Sequence, residues 1–169
     1  MSIILALLLV LSNYFKKKFM PIEQEIKQEK PMPSTYQRLM VNLMFTGAWT
    51  KDITNKYLKQ FDLSNEQYNI LRILRGSCPK MLTISDIQSR MMDRTSNVGR
   101  MIDKLLKKEY VNRSNNPENR REMNISITQS GLDFLTTIDV EFHKIEEKMK
   151  NLNTDETNQL IDLLDKLRG

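Results

Sequence analysis

A chain of 169 residues with only five glycines and five prolines is long enough for one domain with a sizeable core, and too poor in chain breakers to be β-rich or disordered. Its single cysteine, Cys78, and single histidine, His143, exclude an internal disulfide framework and a metal site of soft ligands, so no metal or cofactor is expected. A net charge of +5 points to an acidic partner, and no convergent acid, base and nucleophile marks an enzyme.

In chain order, the most apolar stretch comes first. "IILALLLVL", residues 3–11, is far shorter than the roughly 20 residues a membrane-spanning helix needs. Lys16, Lys17 and Lys18 follow it, whereas a secretory signal puts its positive charge ahead of the apolar run. Two readings remain. Residues 3–18 form a surface-binding extension that tethers the protein to a membrane, or translation starts at Met20 and residues 1–19 are an artefact of start-site choice. The second is preferred, because "MPIEQEIKQEK" reads as an ordinary soluble N-terminus. A cytoplasmic domain over residues 20–169, with no membrane partner, is the expectation.

From Ser34 to Phe61, apolar residues recur at 36, 39, 40, 43 and 44, then at 49, 53, 57, 58 and 61. Spacings of three and four predict one long helix, with Ser34 as its cap. It carries more apolar surface than a small domain hides, which points to a second copy of the chain. Ser64 and Gln67 form a capping-box pattern ahead of a helix that buries Tyr68, Ile70, Leu71, Ile73 and Leu74 and stops at Gly76 and Pro79. "LTISDIQSRMM" predicts a short helix capped by Thr83 or Ser85, with Ile84, Ile87 and Met91 inward. After a brief polar break at Asp93–Arg94, "TSNVGRMIDKLLKKEYV" predicts another, with Val98, Met101, Ile102, Leu105 and Leu106 on its apolar side. Two short helices joined by about three or four residues have the size of a helix-turn-helix.

"YVNRS" and "EMNISIT" then read as two strands around a tip at 115–121, a hairpin attached to the helix-turn-helix. The expected fold is mostly α with a small β-hairpin wing. Gly131 opens a further helix over Leu132 to Asn151, and "NTDETNQLIDLLDKL" forms the last, with Thr154 and Thr157 in a capping role. Residues 64–128 are the expected DNA-binding lobe, and 34–61 and 131–168 the dimerisation helices. Between Arg94 and Arg121, eight basic residues stand against three acidic ones, so this window alone carries +5, the net charge of the whole chain. Such concentration on a helix-turn-helix and wing is the footprint of phosphate binding.

The order of elements, with "SNVGRMIDKLLKKEYVNR" and "NPENRREMNISITQSG", resembles the MarR family of bacterial winged-helix transcription regulators from about Tyr36 to Leu167. Ile127, Thr128 and Gly131 take the places of that family's Leu-Thr-x-x-Gly. The resemblance implies a homodimeric regulator, read here as a repressor, that binds a palindromic double-stranded operator. A small molecule or an oxidant would tune that binding. The family's wing usually carries an aspartate where this chain has Asn119, so the charge that would brace the neighbouring arginines is missing.

Residues at the start of a recognition helix lie deepest in the major groove. Ser96, Asn97 and Gly99 permit close approach, and Asn97 is suited to bidentate pairing with adenine. Arg100 is the candidate for a guanine or phosphate contact, and Lys104 and Arg113 add to the basic face. Thr95 caps the helix or holds a phosphate. Thr83 and Ser85 are candidate phosphate donors at the preceding helix. Arg121, or Arg120 in its place, is expected in a narrow minor groove beside Asn119. Phe45, Trp49 and Tyr68 line a pocket for a small aromatic or apolar effector, or else belong to core and dimer interface. Cys78 is either a thiol redox sensor or, as preferred here, a buried or idle thiol; the sensing cysteine of some family members usually sits near the start of the first long helix, where this chain has none.

Overall fold

The computed structural model describes residues 19–117, 119 and 122–169. The apolar run at 3–11, the lysines behind it, and Arg120 and Arg121 lie outside the described residues, and with them what was expected of each.

The elements are α1 (Ile22–Glu25), α2 (Thr35–Leu58) with a 3-10 turn at Lys59–Phe61, α3 (Asn65–Arg75), β1 (Leu82–Thr83), α4 (Ile84–Arg90), α5 (Val98–Lys107), β2 (Val111–Asn115), β3 (Met123–Ile127), α6 (Gln129–Glu141), α7 (His143–Met149) and α8 (Thr154–Arg168). The chain divides into two compact units within α2, one up to Trp49 and one from Thr50 onward.

In the first unit the Ser34 hydroxyl accepts the Gln37 N–H at 3.1 Å, the expected cap of α2. A fork from Arg38 to both oxygens of Glu23 ties α1 to the start of α2, at 2.5 and 3.2 Å. Over the same stretch the helix exposes Tyr36, Leu39, Met40, Leu43, Met44 and Phe45.

The second unit holds a winged-helix arrangement around one core. Ser64 and Gln67 close the capping box of α3, and this gives a partner to the side-chain oxygen of Gln67, a residue only 6% exposed. The periodic residues of α3, α4 and α5 meet: Ile70, Leu71, Leu74, Ile87, Val98, Ile102 and Leu105 are buried together with Leu58, Leu135 and Ile138. Tyr57 adds a hydrogen bond from its hydroxyl to the Ile138 carbonyl at 2.8 Å, pinning the end of α2 to α6. Behind the core a three-stranded antiparallel sheet runs in the order β1-β3-β2. Arg113 pairs with Ile125 in the hairpin register, and Leu82 pairs with the same Ile125 from the other side.

Several local expectations change. The strand β1 is additional to the expected hairpin; two residues are too short to show alternation, and its pairing with β3 is non-local. The link between α4 and α5 spans residues 91–97, longer than the break read from the sequence. The helix expected to run from Leu132 to Asn151 begins at Gln129, with Thr128 as its cap, and divides at Phe142. There the Phe142 and Ile145 N–H groups bond three residues back rather than four, to Asp139 and Phe142, and the Phe142 ring lies edge-on to Tyr57 at 6.4 Å. Asn153, not Thr154 or Thr157, caps α8; its side chain takes the Glu156 N–H while Glu156 reaches back, a reciprocal box the threonines cannot complete.

Candidate nucleic-acid interface

The helix α5 turns Val98, Ile102 and Leu105 inward, which leaves Arg100, Asp103 and Lys104 facing solvent at spacings of three and four. Its cap is Asn97, whose Oδ1 accepts the Arg100 N–H at 3.0 Å. An adenine contact by Asn97 therefore has to be made with an oxygen that already serves the helix.

Thr95 does not cap α5. Its hydroxyl and its N–H both go to Asp93 Oδ1, at 2.5 and 3.0 Å, closing a local turn two residues before the true cap. These two bonds, the hydroxyl first, hold the Asp93 carboxyl below the usual carboxylate range. A phosphate at Thr95 would have to displace that carboxylate. Thr83, rather than Ser85, is the cap of α4, and its hydroxyl donates to Asp86 Oδ2 at 2.8 Å. The Thr83 N–H and then its hydroxyl lower the Asp86 carboxyl, so this end of α4 presents a bonded anion. Ser85 stays exposed beside it.

The ion pairs sort the basic residues into two groups. Arg113 Nη2 lies 2.7 Å from Asp103 Oδ1, which clamps β2 to α5, and Lys108 lies 2.6 Å from Asp62 Oδ2. Arg94, Arg100, Lys104 and Lys107 are exposed and enter no ion pair among the described residues. Asp103 is the one residue of this cluster that the sequence marks only as an acidic side chain within a basic helix. This division has a measurable consequence. Lys104→Ala should reduce the salt dependence of DNA binding by about one unit per subunit, as for a phosphate contact. Arg113→Ala should leave it nearly unchanged, because Asp103 already neutralises that charge; equal slopes for the two variants would reject the division.

At the wing the Asn116 N–H bonds to the Glu122 carbonyl at 3.3 Å, and the Glu122 N–H to the Asn119 carbonyl at 2.9 Å. Asn119 is thus at the exposed tip of the hairpin. An ion pair from Asp103 to Arg113, midway along β2, braces the wing against α5.

The three aromatic candidates fall in different units, and each is described within its own. Phe45 and Trp49 belong to the first unit and are exposed. Tyr68 is buried in the second unit, with the Arg72 guanidinium 5.8 Å from its ring centre. It lines a groove of about 630 Å³ together with Thr54, Asn69, Arg72, Met92 and Phe142. Cys78 is exposed rather than buried, because the turn after α3 carries it away from the core, with its backbone N–H bonded to the Leu74 carbonyl at 3.0 Å. Among the described residues no cluster of metal-ligating side chains occurs, and no helix is long and apolar enough to cross a membrane.

Against this geometry stand the comparisons with known proteins. Residues 63–123 match the model of the MarR family. The HTH-type transcriptional regulator PapX of Escherichia coli is 25% identical over 136 residues, which cover 80% of this chain and 83% of that protein. The crystal structure of a MarR transcription factor from Planctomyces limnophilus is 31% identical, with a TM-score of 0.63, covering 80% of this chain and 98% of that one. The S. aureus MepR–DNA complex superposes with a TM-score of 0.65 at 25% identity, over 79% of this chain and 96% of MepR.

Proposed function

Since the chain belongs to the MarR family of transcription regulators, we propose that it binds double-stranded operator DNA as a homodimer, with one α5 in the major groove of each half-site. Proteins of this family are regulators and not enzymes. The observation that carries the reading is the face of α5, where Gly99, Arg100 and Lys104 stand exposed or half-exposed beside the paired Asp103 and Arg113. Cations that enter no ion pair among the described residues, on the exposed face of a recognition helix, fit phosphates and base edges. MepR, solved with DNA, supports the same use of this fold. The test is selection of duplexes from a randomised library by the purified protein. Recovery of no sequence above background would defeat the reading.

The homodimer rests on apolar surface. In the first unit α2 exposes Tyr36, Leu39, Met40, Leu43 and Met44, and in the second α8 exposes Leu160, Ile161, Leu163 and Leu167. Helix faces with several exposed large apolar side chains are covered by a partner in stable proteins, and a second copy provides one by symmetry. Leu163, 56% exposed, adds little to the fold of a single copy. Leu163→Glu should therefore yield a folded monomer in sedimentation, with helical content kept and operator affinity sharply reduced. A dimer that survives this change with unaltered affinity would place the interface elsewhere.

Repression follows if the operator overlaps a promoter, since a bound dimer then excludes polymerase. The groove beside Tyr68 supports control by a small molecule, because it sets the apolar groups of Tyr68, Ile73, Met91, Met92 and Phe142 among polar and charged ones such as Asn69, Arg72 and Arg90 that could orient a ligand.

A further inference from the structure

The link of residues 91–97 sets where α5 begins, and most of its hydrogen bonds are local. The Met91 N–H bonds to the Gln88 carbonyl, the Ser96 N–H to the Asp93 carbonyl, Gln88 Nε2 donates to the Arg94 carbonyl, and Thr95 uses Asp93. One bond instead reaches a distant helix. The Met92 N–H donates to Asn69 Oδ1 on α3 at 3.1 Å, across 23 positions of sequence. On one side of this bond Met91 is buried at 4% exposure, while on the other the Met92 side chain is 91% exposed. The Asn69 amide thus fixes the link where it leaves the core, five residues before the cap of α5.

We infer that Asn69 is a positioning residue for DNA recognition, acting through the Met92 backbone to hold the start of α5 at its reading height. It carries no charge and touches no base itself. Asn69 and Met92 also both line the groove of Tyr68, so an occupant of that groove lies against this bond. A base contact depends on heavy atoms placed to within a few tenths of an ångström, whereas phosphate attraction tolerates far more. Loosening the link should therefore cost sequence discrimination before it costs general DNA affinity. This inference rests on the reading that α5 enters the major groove.

Two variants separate positioning from mere stability. Asn69→Leu keeps the size and removes the acceptor, while Asn69→Asp keeps an acceptor oxygen. The probe is the duplex that the wild-type protein selects from a randomised library, set against a shuffled duplex of the same composition. The affinity ratio of the two duplexes cancels the uniform effect of the added charge in Asn69→Asp. For Asn69→Leu the ratio should fall roughly tenfold, the size of one lost base contact, with shuffled-duplex affinity little changed. For Asn69→Asp it should stay within about twofold of wild type, since charged acceptors bond at least as well as neutral ones. Hydrogen exchange of the Met92 amide, measured on the free protein, should speed up in Asn69→Leu and stay protected in Asn69→Asp. An unchanged ratio in Asn69→Leu, with the amide exposed, would overturn the positioning role. So would equal loss of discrimination in both variants. A wild-type protein that does not distinguish the two duplexes would remove the major-groove reading itself, and that result appears before any variant is made.

Discussion

Gly131→Ala should lower the unfolding free energy by about 2–4 kcal/mol, the sum expected of an overpacked contact and a damaged buried hydrogen bond. A Cβ at this position would lie 2.3 Å from the Tyr110 carbonyl oxygen and 2.9 Å from Ile127 Cγ1. The nearer of the two, a backbone oxygen, is held in place. The Tyr110 carbonyl accepts the Thr128 N–H at 3.0 Å, and the Tyr110 ring stacks on Phe134 with centroids 4.3 Å apart. Moving Gly131 is no easier, because its N–H is held by the Thr128 hydroxyl at 2.9 Å, and that hydroxyl donates to the Glu109 carbonyl at 2.8 Å. One threonine thereby ties the start of α6 to the end of α5 through the residues between α5 and β2. The added methyl forces these contacts apart. Urea unfolding at neutral pH measures the effect. A loss below about 1 kcal/mol would mean that the junction relaxes cheaply.

That junction also shows how much could be read from the residues alone. Gly131 was visible as part of a motif resembling the Leu-Thr-x-x-Gly of a known family, yet the reason for a glycine lies in Tyr110, 21 positions earlier. Helices were legible where cap and apolar period agree locally. In α3 the Ser64–Gln67 box and the buried Tyr68, Ile70 and Leu71 both arise from residues three or four apart. What stayed hidden depends on partners far along the chain. The Asp62–Lys108 pair spans 46 positions and the Asn69–Met92 bond 23, so no window of sequence reveals that Lys108 is engaged or that the link is pinned. Competing caps were hidden for a different reason. Thr95 and Asn97 are both good cap residues, and Asp93, by drawing off the Thr95 hydroxyl, leaves Asn97 to serve the helix. Of the candidate DNA contacts, the structure leaves Arg100, Lys104 and Ser85 exposed, and it gives Thr83, Thr95 and Arg113 acidic partners within the chain.

The second glycine of this region should behave in the opposite way. Gly99→Ala is expected to raise stability by about 0.5–1 kcal/mol, the usual gain from replacing glycine inside a helix. Gly99 is the second residue of α5, and a Cβ there would meet only Asn97 Oδ1, at an ordinary 3.7 Å. Nothing inside the described chain requires a glycine, so the fold bears its entropic cost without a packing return. A surface that comes from outside supplies the reason. Gly99 lies on the same face as Asp103, one turn along, and next to Arg100, the side chain best placed for a base or phosphate. A methyl between helix and groove floor would hold Arg100 and the Asn97 amide away from base edges. Selected-duplex affinity should therefore fall by about 1–3 kcal/mol per half-site, the worth of a good bidentate base contact. Affinity for shuffled DNA should change little, because Arg94 and Lys104 keep their charges and phosphate attraction weakens slowly with distance. Thermal unfolding and titrations with both duplexes give the two signs independently. Gained stability with unchanged selected-duplex affinity would make Gly99 only an unoptimised helix position, and the first turn of α5 would then not be where bases are read.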